Sequence, residues 1–305
     1  MKTYNDVYLK ARKELRSAGV AAHDLEARLI VSNATGKTRE ELVSASNVFL
    51  TNVEILKKVD NMVDRRKTGE PVAYIVGEWE FYSIPLIVNT SVLIPRTDTE
   101  VLAGAAINIL RQNDDPKRVL DLCTGCGCIG LAIAANVPNC RVVLADKSEN
   151  ALAVCRANML KTNLSKMTMA VAVDALALPP AMMGTFDMIV CNPPYIPTSQ
   201  IDSLDNSVRD YEPAIALDGG DDGLKFFRAI TASWASVLRS GGHLAYECGI
   251  GQAEILSGIL KENGFGSIET YTDSLDIERV VIGQWETEQS AERAEHSEER
   301  KVQSV

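Results

Sequence analysis

The chain reads as an α/β protein. A mostly parallel, doubly wound sheet of seven strands is expected, with one antiparallel strand near the C-terminus, preceded by a small helical domain and a linking β-hairpin. Three observations predict this. From about residue 117 onward, short β-branched runs alternate with stretches of helical length, the βαβ rhythm of a parallel sheet. Residues 3–67 instead carry their apolar side chains at helical spacing. Between these regions, residues 71–94 hold brief strand-like runs punctuated by Gly and Pro.

The elements follow in order. In residues 1–70, Leu25, Leu29 and Ile30 share one helix face, and Ile55, Leu56, Val59 and Met62 share another. Gly19 and Gly36 separate the helical stretches. Residues 71–95 predict short strands at 74–76, 79–82 and 85–88 that form a hairpin. In residues 96–285, strands are expected at 118–122, 141–145, 168–173, 188–190 and 243–246. Helices fit at 129–135, 149–160, 223–238 and 252–262. Two further runs, 267–272 and 279–282, have no helix between them and close the sheet as an antiparallel pair. The segment 286–305 is rich in Glu, Arg, Ser and Gln and is expected to be disordered.

Composition narrows the function. The chain has 305 residues, 46% hydrophobic and 24% charged, as in a globular protein. No apolar run approaches the ~18 residues of a membrane span, and the N-terminus lacks a signal-peptide core. A cytoplasmic protein without membrane association is expected, with its seven cysteines reduced. The net charge of −10 combines +3 in residues 1–70 with −13 in the remainder. An acidic body without a basic stripe argues against direct nucleic-acid binding.

The most informative stretch is Asn192-Pro193-Pro194-Tyr195, directly after the apolar run 186–190. Two prolines remove two backbone donors and stiffen the chain past a strand end. The Asn192 side chain and the Pro193 carbonyl are then rigid polar groups at the mouth of a sheet. Together they can accept both hydrogens of an –NH2 group and leave its lone pair free. An Asn-Pro dipeptide alone reads as a capped proline turn; a second motif upstream changes that reading.

That motif runs from Val119 to Gly130, a strand, a turn and a helix start. Cys123, Thr124, Gly125, Cys126 and Gly127 form the turn, and Gly125 and Gly127 let the backbone approach a ligand. Asp146 ends the next strand nineteen residues after Gly127, where a Rossmann-like site sets an acid against ribose hydroxyls. A dinucleotide site shows G-x-G-x-x-G, its last glycine packing helix on strand; counted from Asp121, the spacing here is D-x-x-x-G-x-G. Cys123, Cys126 and Cys128 superficially suggest a metal site. No second cluster follows, and His23, His243 and His296 are scattered, so no metal is expected.

The D-x-x-x-G-x-G turn resembles class I S-adenosylmethionine-dependent methyltransferases. The resemblance implies S-adenosylmethionine as cofactor, Asp121 near its methionine end, Asp146 on its ribose, and Asp174 and Ala175 flanking its adenine. Tetrapeptides like Asn192–Tyr195 occur in methyltransferases acting on exocyclic amino groups of bases and on glutamine side chains, so Tyr195 would pack on a planar acceptor.

Other segments resemble the N5-glutamine methyltransferases of peptide chain release factors. These are Pro-Val-Ala-Tyr-Ile-Val-Gly-Glu-Trp-Glu-Phe-Tyr at 71–82, Val-Leu-Ile-Pro-Arg-Thr-Asp-Thr-Glu at 92–100, Glu212-Pro213, Ala216-Leu217, and Gly-Gly-Asp-Asp-Gly-Leu at 219–224. Gly241-Gly242, Glu247, Gln252 and the run 276–281 complete the likeness, which spans residues 3–284. It implies a monomer whose residues 1–70 dock a class I release factor, with the glutamine of its Gly-Gly-Gln loop entering the Asn192 pocket. Two departures stand out: the family usually has Gly at 123 and Pro-Glu at 97–98, where this chain has Cys123 and Thr97-Asp98. Arg96 and Glu100 are expected to hold the domain junction together rather than to act in catalysis. A ribosomal-protein glutamine methyltransferase is the nearest rival and an adenine-N6 DNA methyltransferase a more distant one. A non-catalytic module is disfavoured by the intact Asn192 run and Asp146.

Overall fold

The computed structural model describes residues 2–286. The tail expected to be disordered lies, beyond Glu286, outside the described residues. The chain divides into two compact units.

The first unit takes the chain up to Trp79, together with residues 88–90 and 204–212. Its helices are α1 (Tyr4–Ser17), α2 (His23–Thr35), α3 (Arg39–Ser44), α4 (Val53–Lys67) and α5 (Val72–Val76). Two-residue strands β1 (Lys2–Thr3) and β2 (Phe49–Leu50) pair antiparallel. Local chemistry sets the helix ends. Thr3 with Asp6, and Thr38 with Glu41, form capping boxes at α1 and α3. The Asn52 side chain caps α4. Val7, Ala11 and Leu15 of α1 meet Ala27, Ile30 and Val31 of α2 in one core with Val59, Met62 and Val63 of α4.

Tyr74, Ile75 and Val76, expected as a strand, belong instead to α5. Pro71 at its N-cap and Gly77 in the left-handed conformation frame a single helical turn, and Val72 and Ile75 join the core. A short apolar run does not by itself distinguish strand from helix. The hairpin comes next, β3 (Glu78–Phe81) and β4 (Ile84–Ile87). Tyr82 and Ser83 turn it with φ of 50° and 60°, the left-handed pair of a tight two-residue loop.

The second unit holds α6 (Thr99–Leu110), β5 (Lys117–Leu122), α7 (Cys128–Asn136), β6 (Cys140–Asp146), α8 (Glu149–Lys161), β7 (Thr168–Ala172) and β8 (Phe186–Cys191). After α9 (Asn206–Arg209), which belongs to the first unit, follow α10 (Lys225–Trp234), β9 (Leu238–Glu247), α11 (Ala253–Glu262), β10 (Phe265–Thr272) and β11 (Glu278–Trp285). The strand order is β10-β11-β9-β8-β5-β6-β7. Pairs from β9 through β7 are parallel, and β11 lies antiparallel to both its neighbours. The expected seven strands are all present. The helix expected over 223–238 ends earlier, at Trp234, because Leu238 already opens β9. Helix α6 was not anticipated, although Leu102, Ala103, Ala106, Ile107 and Leu110 repeat at helical spacing and are all buried.

Alternation along the strands sorts the two faces. Leu120, Leu122, Val143, Ala145, Ile189 and Tyr246 join Phe227, Ile230 and Trp234 of α10 and Leu256 and Leu260 of α11 in one core. Asp121 and Leu144 face the other way, against α7. Asn158 of α8, fully buried, connects the hairpin strand β4 to the β5–α7 turn. Its Oδ1 accepts from Ile87 N–H (2.7 Å), and its Nδ2 donates to the carbonyls of Ile87 (3.0 Å) and Cys126 (2.9 Å). Asn158→Ala strands these backbone groups without partners. A loss of about 3 kcal/mol is expected in urea denaturation, and an unchanged midpoint would contradict this role.

Candidate active site

Strand β5 lies between β6 and β8, so connections leave it toward both edges of the sheet. Ligands of doubly wound sheets bind outside the carboxyl ends of the strands at such a switch point. A cavity of about 420 Å³ opens there.

Its floor is the turn from β5 into α7. Asp121, fully buried, accepts on Oδ2 from the Thr124 hydroxyl (2.6 Å) and from Gly130 N–H (2.8 Å), while Oδ1 makes no hydrogen bond. Burial pushes its carboxyl up to about 7, against the pull of the Thr124 and Gly130 bonds. Gly127 caps α7 with φ 89°. Gly130 permits the close approach of α7, since a Cβ there would lie 2.2 Å from Leu144 Cδ2 and 2.9 Å from Asp121 Oδ2. Gly125, Gly127 and Gly130 thus complete G-x-G-x-x-G, with the last glycine packing helix on strand. The contrast drawn above with the dinucleotide pattern does not hold, and the turn alone does not separate the two cofactor classes. Cys123 adopts φ 61°, a region that disfavours every residue with a Cβ. That is the physical reason a glycine suits this position.

Asp146 ends β6 at the cavity wall, accepting from Gly125 N–H (2.9 Å) and Ser148 N–H (2.8 Å). Burial raises its carboxyl despite these bonds. Asp174 and Ala175 also line the cavity. Lys147, 2.7 Å from Asp174, lowers that carboxyl, and Trp234 Nε1 fixes the Ala175 carbonyl at 3.0 Å. Of the residues expected at the cofactor, Cys123, Thr124, Gly125, Cys126, Asp146, Asp174, Ala175 and Asn192 border the cavity. Asp121 and Gly127 lie behind it as supports.

The tetrapeptide follows β8. Asn192 and Pro194 border the cavity, whereas Pro193 and Tyr195 do not. Asn192 Nδ2 is 3.5 Å from Thr99 Oγ1, and the Tyr195 hydroxyl is 3.4 Å from Glu247 Oε1. Burial raises the Tyr195 phenol. The Tyr195 carbonyl accepts from Gln252 Nε2 (3.1 Å), whose Oε1 takes Gly249 N–H (2.8 Å). Gly219 and Gly223 press on the same residue: Cβ atoms there would lie 2.7 Å from Tyr195 Cα and 2.3 Å from its carbonyl oxygen. Thr99 and the clamping roles of Glu247, Gln252 and the two glycines were not read from the sequence. Recognising α6 would have pointed to Thr99 at its first position.

A pH dependence follows from Asp121. The fold favours its neutral form, so stability is full at low pH. It falls as pH rises from the unfolded value of about 4 toward the folded value, which is about 7. Asp121→Asn removes this titration. The variant is expected to gain on the parent by more than about 1 kcal/mol between roughly pH 5 and pH 8 in paired denaturation curves. A pH-independent difference would contradict the burial argument.

Comparisons with known proteins agree with this arrangement. Residues 6–77 match the PrmC N-terminal domain and residues 100–206 the methyltransferase small domain. The chain is 36% identical to a release factor glutamine methyltransferase of Clostridium acetobutylicum, covering 91% of this chain and 96% of that one. Its identity to the protein of that name from Geobacter sulfurreducens is 39%, over 89% and 93%. The solved catalytic domain of hMettl16 in complex with the MAT2A 3′UTR hairpin 6 shares the fold at 16% identity and a TM-score of 0.53, covering 68% of this chain and 77% of that one. With a glycine turn under Asp146, a rigid Asn-Pro-Pro-Tyr beside it, and such likeness along nine-tenths of its length, the chain belongs to the release factor glutamine methyltransferase family.

Proposed function

We propose that this protein methylates the side-chain amide nitrogen (N5) of the glutamine in the Gly-Gly-Gln motif of class I peptide chain release factors in the cytoplasm, with S-adenosylmethionine as the methyl donor. The residues around the cavity suit that cofactor. Asp146 offers a carboxylate to ribose hydroxyls, and Val173, Leu176 and Phe226 offer apolar walls to a flat base. A Cβ at Gly125 would meet nothing within 4 Å, so this side of the turn is open. When bound, the cofactor supplies an electrophilic methyl group on a sulfonium.

The observation that carries the reading is Asn192 beside that same cavity at the end of β8. An amide nitrogen is a poor nucleophile because its lone pair is delocalised. Asn192 Oδ1 and the Pro193 carbonyl accept its two N–H bonds, hold the group, and turn the lone pair toward the donor. Both acceptors also stabilise the positive charge that develops on nitrogen, and its proton leaves once transfer has made it acidic. Positioning on this scale is worth several kcal/mol. Tyr195, tied to Glu247 and Gln252, acts by holding the backbone of the tetrapeptide.

Two variants separate binding from chemistry. Asn192→Ala is expected to abolish transfer of labelled methyl to a purified release factor with little change in cofactor affinity. Asp146→Ala is expected to weaken cofactor binding about tenfold or more in calorimetry, through loss of charge-assisted bonds. Near-normal turnover of Asn192→Ala, or labelling of ribosomal protein or DNA in preference to release factor, would refute the reading.

The helical unit is proposed as the docking surface for the release factor. A groove of about 560 Å³ in it is bordered by Tyr4, Tyr8, Leu25, Arg28, Leu42 and Val43, and Leu25 and Val43 are 58% and 68% exposed. The double variant Leu25→Asp/Val43→Asp is expected to raise KM for intact release factor at least fivefold, about 1 kcal/mol. Activity on a short Gly-Gly-Gln peptide should stay as it is. Equal kcat/KM on the intact protein would exclude this groove.

A further inference from the structure

A short bridge, Pro193–Tyr195, carries the proposed acceptor grip away from β8. Asn192 leaves the end of that strand, where Cys191 is paired with Tyr246. Pro193 and Pro194 have φ fixed by their rings, so the direction of the Pro193 carbonyl depends on what holds the far end. That end is the peptide unit between Tyr195 and Ile196, and it is bonded on both sides. The Ile196 N–H donates to the Leu217 carbonyl (3.1 Å), and the Tyr195 carbonyl accepts from Gln252 Nε2 (3.1 Å). The Tyr195 hydroxyl adds only a longer contact, 3.4 Å to Glu247.

We infer that Gln252 is a positioning residue for the reaction: by holding the Tyr195 carbonyl, its side-chain amide sets the direction of the Pro193 carbonyl. An amide has a donor end and an acceptor end, and the surroundings of Gln252 assign them. Its Oε1 takes Gly249 N–H at 2.8 Å, which leaves Nε2 to donate to Tyr195. Gln252 N–H in turn bonds the Gly249 carbonyl (3.1 Å), so the side chain is anchored on a closed turn of its own backbone. Gly223 covers the other side. A Cβ there would lie 2.3 Å from the Tyr195 oxygen and 2.9 Å from Gln252 Nε2, where it would displace the bond.

The same geometry separates glutamine from glutamate, although the two share one shape. A carboxylate at 252 keeps the bond from Gly249 N–H but sets its second oxygen against the Tyr195 oxygen, acceptor against acceptor. A neutral carboxyl donates to that oxygen and restores both bonds. In Gln252→Glu the hold is therefore present at low pH and is lost as pH rises through the carboxyl pKa. Contact with a carbonyl oxygen disfavours the charged form, so that step lies above the ordinary value of about 4.3. The charged groups around Tyr195, Glu247, Arg279 and Arg96, are common to both proteins and cancel in the ratio of their rates. Loss of the hold frees ψ at Pro193 and Pro194, turns the Pro193 carbonyl off the acceptor N–H, and slows transfer. The inference rests on the proposed role of Asn192 and Pro193 as the grip on the acceptor.

The test compares wild type, Gln252→Glu and Gln252→Met, the last close in shape but without either hydrogen bond. Single-turnover methyl transfer to release factor is followed across pH, cofactor Kd by calorimetry, and hydrogen exchange of the Ile196 amide by NMR. Gln252→Met should be slower than wild type by about tenfold or more at every pH, with its cofactor Kd within about twofold. The ratio of Gln252→Glu to wild type should approach one at the acid end and fall to the Gln252→Met level as pH rises. Exchange at Ile196 should quicken about tenfold or more in both variants near pH 8, while the amides of β8 keep their wild-type protection. A Gln252→Met rate within about twofold of wild type, a pH-independent Gln252→Glu ratio, or unchanged exchange at Ile196 overturns the inference. Faster exchange spread evenly over β8 and α11 marks a merely structural role and overturns it as well. If wild type labels no release factor, the proposed function fails, and the exchange measurement, which needs no substrate, still decides whether Gln252 holds the tetrapeptide.

Discussion

The architecture of the candidate site hangs on one buried carboxylate. Asp121 has no exposure to solvent, and its Oδ2 gathers the Thr124 hydroxyl and Gly130 N–H from the two sides of the β5–α7 turn. Burying a carboxylate is costly, which is visible in its raised pKa. The two hydrogen bonds offset part of that cost and draw the first turn of α7 down onto the strand. Only a residue without a side chain at 130 admits the approach. With the turn so fastened, Gly125 N–H reaches Asp146 across the gap between β5 and β6. The ends of β5 and β6 thereby share a single wall.

Two prolines alone do not produce the rigidity of the Asn192–Tyr195 segment. Proline fixes its own φ but leaves the following residue free to swing. The swing is stopped at Tyr195 by Gln252 on its carbonyl, by Glu247 on its hydroxyl, and by the backbone at Gly219 and Gly223 packed against it. These residues lie 24 to 57 positions downstream in the chain. The proposed reaction aligns a weak nucleophile, which needs acceptors held to a fraction of an ångström. The density of contacts behind Tyr195 answers that need.

Cysteines fill places in this site that call for small side chains. Cys123 occupies a left-handed position at some conformational cost. Its thiol neighbours that of the buried Cys191, and the Cys126 and Cys128 thiols neighbour each other. Burial and these neighbours push the Cys128 and Cys191 thiols well up. They behave as packing groups.

Much of this was legible in the order of residues. The βαβ rhythm after residue 117, the antiparallel closing pair, the helical N-terminal region and the hairpin all follow from local periodicity. Periodicity reports which face of an element is buried whatever it is buried against. That Gly125, Asp146 and Asn192 come together at one cavity was readable because each lies at or just beyond a strand end, where a short motif and its neighbours in sequence set the local geometry. The run 74–76 misled because three apolar residues satisfy either a strand or a helical turn, and only the core of the helical unit chooses. Long-range placement was decided by tertiary structure alone. That residues 204–212 rejoin the first unit, that Asn158 bridges the hairpin and the β5–α7 turn, and that Thr99 stands behind Asn192 depend on strand order and helix packing. A side chain's partner across 50 or more positions is set by where the sheet carries it, and the residues on either side of it hold no record of that position.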